Sequence, residues 1–129
     1  MIALAHVAYW CVDLDRTAGF WTHWFGASAG DCYVSSNQPG FRSRFVTLAS
    51  GPTIELMQRS DIMPKSAGQA PGIGLSHIAL SLGSVAAVDA LAEKAAQAGI
   101  LAAVPRRTGD GFYEAILFDP DLNQIEITA

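Results

Sequence analysis

The chain has 129 residues, enough for one ordinary domain with its own core. Half of the residues are apolar and 16% are charged, which excludes a disordered polypeptide. The formal charge of −4 is scattered rather than run together and argues against a nucleic-acid surface.

No stretch approaches the roughly 20 unbroken apolar residues that span a bilayer. The N-terminus lacks the basic lead and apolar run of a secretory leader, and His6 interrupts it early. Cys11 and Cys32 form neither a CxxC pair nor a disulfide framework and read as small buried hydrophobes. A reducing cytoplasm is the simplest setting.

In chain order, Ala3 to Val12 is a β-rich run. Asp13 or Asp15 then caps a helix whose apolar residues Phe20, Trp21, Trp24 and Phe25 recur at helical spacing. His23 in this helix reads as packing or surface. Gly26 stands where a helix C-terminus favours positive φ. Strands are expected around Asp31 to Val34, Arg42 to Ala49 and Pro52 to Gln58, with a tight turn at Ser50-Gly51.

Residues 60–74 hold Pro64, Gly68, Pro71, Gly72 and Gly74 and read as a linker. Beyond it the order repeats. Leu75 to Leu82 is a strand, and Ser84 caps a helix from Val85 to Ala98, ended by Gly99. Strands follow near Leu101 to Val104, Tyr113 to Phe118 and Asn123 to Thr128, with a turn at Asp119-Pro120-Asp121. The pattern is βαβββ twice: an α+β domain over 1–129, with module one at about 1–60 and module two at about 75–129.

The repeat is also visible in the residues. Ala5-His6-Val7-Ala8 matches Ser76-His77-Ile78-Ala79, and Ile54-Glu55-Leu56 matches Ile125-Glu126-Ile127. Glu55 follows His6 by 49 residues, as Glu126 follows His77, and the halves are offset by 71. The same offset carries Gly40-Phe41 onto Gly111-Phe112 and Phe45-Val46 onto Ile116-Leu117. Duplication of a half-domain is the economical explanation.

Strand side chains alternate faces. Glu55 points away from Ile54 and Leu56, and Glu126 away from Ile125 and Ile127. His6 and His77 are split from their apolar neighbours in the same way. If the modules form one curved sheet, or cup, all four polar side chains can point into it. A buried carboxylate is costly unless paired with a charge or a metal. Two neutral imidazoles and two carboxylates suit one divalent ion, and mixed nitrogen and oxygen donors suit Zn, Ni, Co, Mn or Fe(II).

These residues resemble the vicinal oxygen chelate superfamily (glyoxalase, bleomycin resistance, dioxygenase), and within it glyoxalase I, the lactoylglutathione lyase. The family pattern is a His on the first strand of each module and an acidic residue on the last; His6, Glu55, His77 and Glu126 fill all four places. Asp119-Pro120-Asp121-Leu122-Asn123-Gln124-Ile125-Glu126 is similar to the closing DPDGN-x-IE signature, with Leu122 where Gly is usual. Trp10 stands where bacterial members commonly carry an Arg that serves glutathione.

The resemblance implies a metal-dependent isomerase or lyase. Its substrate would be a hemithioacetal or related vicinal-oxygen molecule, carried to a thioester through an enediolate. Glu126 is the first choice of base and Glu55 the second. Ni, Co or Zn is the expected metal. Trp10, Arg44 and Arg59 are candidate substrate contacts, with Arg42, Arg106 and Arg107 as further candidates for anions. Alternatives on the same scaffold are a dioxygenase, an epimerase, a thiol transferase and a drug-sequestering binding protein. A homodimer is expected, because a single half exposes sheet edges and because the aromatic residues of the first helix exceed what one short helix usually hides.

Overall fold

Asp13 starts the first helix. Its backbone is extended and its carboxylate accepts a hydrogen bond from the Arg16 amide at 3.0 Å, so α1 runs over Leu14–Phe25. Gly26, at φ 64°, ends it. The computed structural model describes all 129 residues, which divide into two compact units, Met1–Pro64 and Lys65–Ala129.

The first unit places β1 (His6–Trp10) parallel to β5 (Thr53–Gln58). Next to β5 lies antiparallel β4 (Arg42–Thr47), which also pairs with the short β2 (Ser28–Ala29) and β3 (Tyr33–Val34). The single strand expected at Asp31 to Val34 is therefore two short ones. Between them the Gly30 amide bonds the Phe45 carbonyl at 2.8 Å. Cys32 lies in this interruption at the sheet's edge and is only half-buried, contrary to expectation; Cys11 is buried.

The second unit repeats the plan. β6 (His77–Ser81) is parallel to β9 (Gln124–Thr128), followed by β8 (Tyr113–Phe118) and β7 (Leu101–Arg107). Pro105, which has no amide to donate, sits in edge strand β7, whose register shifts along its length. Ser84 accepts from the Ala87 amide at 3.2 Å and opens α2 (Val85–Gln97). Both sheets are mixed and each carries one helix. Residue pairs keep the 71-residue offset: Phe45 faces Glu55 as Ile116 faces Glu126.

The helices differ in how they cover their sheets. α2 buries small residues, Val88, Ala92 and Ala95. α1 buries Leu14, Phe20 and Trp21, and Trp21 is 0% exposed. Its indole N–H donates to the Tyr9 hydroxyl at 2.7 Å, and Phe25 stacks on it at 5.1 Å. This corrects the expectation of a subunit contact for Phe20 and Trp21. Phe20 and Trp21 are core of their own unit, and Trp24 and Phe25 are half-buried. His23 is exposed beside Trp24. No helix is long and apolar enough to cross a membrane.

Candidate functional site

Alternation along β5 and β9 decides which side chains meet. Ile54 and Leu56 are buried under α1, and Ile125 and Ile127 under α2. Glu55 and Glu126 therefore emerge on the opposite faces. β1 and β6 run beside these strands, with Ala8 opposite Glu55 and Ala79 opposite Glu126. His6 and His77 share those faces, two residues back along their strands.

The result is one His–Glu pair in each unit. His6 Nε2 lies 3.7 Å from Glu55 Oε1, and His77 Nε2 lies 3.3 Å from Glu126 Oε2. The carboxylate side chains are 19% and 14% exposed, so both are largely withdrawn from water. These separations exceed an ordinary N–H···O hydrogen bond. Bonds of about 2.0–2.2 Å at octahedral or tetrahedral angles put neighbouring donors roughly 2.8–3.6 Å apart, a range that holds the His77–Glu126 distance and that the His6–Glu55 distance exceeds slightly. In neither unit do three His, Cys, Asp or Glu side chains gather in metal-ligating geometry.

The surroundings of the two pairs differ. Ser76 Oγ lies 3.0 Å from His77 Nδ1, while Ala5 precedes His6. A partner at Nδ1 leaves Nε2 for the carboxylate side. Glu114 shares the Glu126 face of the sheet on the neighbouring strand, and Arg106 Nη2 approaches Glu114 Oε1 at 3.7 Å. Burial pushes the Glu126 carboxyl above its ordinary range, and Glu114 pushes it further; His77 and Arg106 oppose the shift. In the first unit the matching place holds Ser43, and Phe45 packs edge-on against His6 at 5.7 Å.

The candidate substrate contacts separate. Trp10 shares the His6 face of β1, and the Arg59 guanidinium lies 5.0 Å from its ring centre while pairing with Asp61 at 2.5 Å. Arg44 points to the helix side of β4, as buried Val46 does, and bonds Asp15 at 3.1 Å and the Gly30 carbonyl at 2.8 Å. It is not beside the His6–Glu55 pair. Arg107 stacks on Tyr113 at 5.6 Å. Sequence reading missed Glu114, although the 71-residue offset carries Ser43 onto it and marks a carboxylate without a counterpart.

The glyoxalase/bleomycin resistance protein/dioxygenase superfamily model matches residues 3–127. The chain belongs to that superfamily. No curated protein matches it by sequence. Among solved structures, this superfamily member is similar to a glyoxylase/bleomycin resistance protein/dioxygenase domain from Frankia sp. EAN1pec. The TM-score is 0.80 at 18% identity, covering 99% of this chain and 97% of that one. Trypanothione-dependent glyoxalase I of Leishmania major gives 0.75 at 19%, covering 99% and 86%. Glyoxalase I from Zea mays gives 0.72 at 23%, covering 97% of this chain but only 43% of the maize protein. At these identities the likeness is one of fold: two βαβββ modules of the vicinal oxygen chelate type.

Proposed function

We propose that the protein is a divalent-metal-dependent, glyoxalase I-like isomerase or lyase acting on a hemithioacetal or related vicinal-oxygen molecule. His6, Glu55, His77 and Glu126 are the ligands of this reading. The observation that carries it is the repeated His–Glu pair, with its donors at 3.7 and 3.3 Å on the helix-free face of each sheet. The donor chemistry fits Ni, Co or Zn. When bound, the ion supplies Lewis acidity to the two oxygens of the substrate.

The chain's own groups do the proton work. Glu126 takes the proton from the carbon beside the carbonyl and returns it to the neighbouring carbon, so the net change is an isomerisation. Burial and the neighbouring Glu114 hold its carboxyl above the ordinary range in the metal-free chain, the direction that strengthens a carboxylate as a base. Glu55 is the second candidate for that role. The protein is a homodimer in this reading, and the site takes both His–Glu pairs, from one chain or from two.

The test is elemental analysis of purified protein together with a methylglyoxal–thiol isomerisation assay. The expected result is about one Ni, Co or Zn ion per complete quartet, with turnover that chelation abolishes. Fe(II) with oxygen uptake would instead favour a dioxygenase. Protein stripped of metal that rebinds it equally well as His77→Ala would remove His77 from the ligand set.

A further inference from the structure

Residues 65–72, 75 and 76, with Phe118, Leu122 and Gln124, border an open surface pocket of about 480 Å³ on the second unit. That volume falls in the range of small-molecule pockets. Leu75, Phe118 and Leu122 give it apolar surface, and Gln69, Gln124 and Lys65 give it polar groups. Lys65 is the sole charged side chain in the wall.

The ammonium of Lys65 is held in place. Asp119 is 3% exposed, and its Oδ1 accepts from the backbone amides of Asp121 and Asn123 at 2.9 and 2.8 Å. Its Oδ2 accepts from Asn123 Nδ2 at 2.9 Å. This fixes the Asn123 amide with its oxygen outward, where it accepts from Lys65 Nζ at 2.8 Å. An ammonium has three donors, and Asn123 takes one.

Leu122 is the one non-glycine residue with positive φ, at 67°. Glycine would adopt that conformation without strain. A strained backbone that keeps an aliphatic side chain in a cavity wall points to a role for that side chain. Two residues of the cavity wall, Ser76 and Gln124, are neighbours of His77, which with Glu126 lies outside the wall. Ser76 Oγ is 3.0 Å from His77 Nδ1, and Gln124 is the register partner of His77.

We propose that this cavity binds the non-reacting part of the substrate, a compact aliphatic body ending in a carboxylate that pairs with Lys65. Its vicinal oxygens then lie at His77 and Glu126. The placement of the reacting end rests on the metalloenzyme reading above; the cavity's preference for a carboxylate does not.

The experiment is a titration of ¹⁵N-labelled protein with hexanoate and with 1-hexanol, before and after chelation. Hexanoate is expected to shift the amides of Gly68, Gln69 and Leu122 in both states, and hexanol to bind more weakly. Lys65→Met should weaken hexanoate about tenfold, the scale of one charge-assisted hydrogen bond. Lys94→Met, which removes the same charge elsewhere, should leave it unchanged. Equal binding of the two probes, or no shift at these amides, overturns the proposal. So does hexanoate binding that disappears on chelation, which would make the carboxylate a metal ligand. Purified protein that neither contains nor takes up Ni, Co or Zn, yet binds hexanoate at Lys65, would sink the enzyme reading and leave the cavity standing.

Discussion

Glu126 and Glu114 stand on one face of the second sheet, on neighbouring strands and two register positions apart. Glu114 pairs with Thr128, and Ser43 pairs with Met57 at the matching register of the first sheet. The backbone of the duplication is thus kept while its chemistry is not. Only the second module sets a further carboxyl beside the glutamate of its His–Glu pair, and a carboxyl beside a carboxyl resists ionisation. That asymmetry gives a physical reason to assign the base to Glu126.

Glu126→Gln should lower kcat by about 10²- to 10⁴-fold, the usual contribution of a positioned general base. The amide keeps the shape and can still ligate through oxygen, so thermal unfolding should show a folded protein. In chelated protein Glu114→Gln removes one cause of the raised pKa, and the Glu126 titration followed by carbon NMR should move to lower pH. An unmoved titration would separate Glu114 from the Glu126 carboxyl.

Chelated protein should show the same shift as a stability effect. The folded pKa of Glu126 is raised, so at low pH, where the group is protonated in both states, it costs nothing. As pH rises past the unfolded value towards the folded one, the unfolded chain ionises first and stability falls. Metal-free Glu126→Gln should therefore melt above metal-free wild type at neutral pH. The gap should close below the carboxylate range. Calorimetry at the two pH values reads this directly.

The sequence made the duplication legible because burial under a helix forces alternation on β5 and β9. Ile54, Leu56, Ile125 and Ile127 marked the buried face, and Glu55 and Glu126 the other. The fate of Trp21 was not legible. Aromatic content alone does not say whether a partner such as the Tyr9 hydroxyl waits across the sheet. Arg44 was misleading for a related reason. Its attraction to Asp15 on α1 is a long-range contact, and it takes the guanidinium to the helix side. Lys65 lay in a segment that reads as linker, and its link to Asn123 spans 58 residues.

Thr17 offers a test of the core independent of any site. It is wholly buried in α1, and its hydroxyl has no hydrogen-bond partner. A buried unsatisfied hydroxyl costs roughly 1–3 kcal/mol, and valine has nearly the same shape. Thr17→Val should raise stability by about 1 kcal/mol, or roughly 4 °C in Tm for a domain of this size. Denaturant unfolding with an unchanged m-value checks it; a loss of stability would mean that a water or backbone group satisfies the hydroxyl.

Each compact unit holds one His–Glu pair, and in the proposed reading a complete quartet takes one pair of each kind. The two can come from one chain or from two. His6→Ala damages only first units and His77→Ala only second units, and each variant alone should be inactive in either arrangement. Co-refolding the two variants distinguishes them. In a dimer with shared sites, a mixed dimer carries one intact quartet and one damaged at both histidines. Random pairing makes half of the dimers mixed, so about a quarter of wild-type activity should return. Sites confined to single chains leave every quartet damaged, and mixing restores nothing. Light scattering on the wild type supplies the second check: a monomer at working concentration removes the shared site whatever the mixing experiment gives.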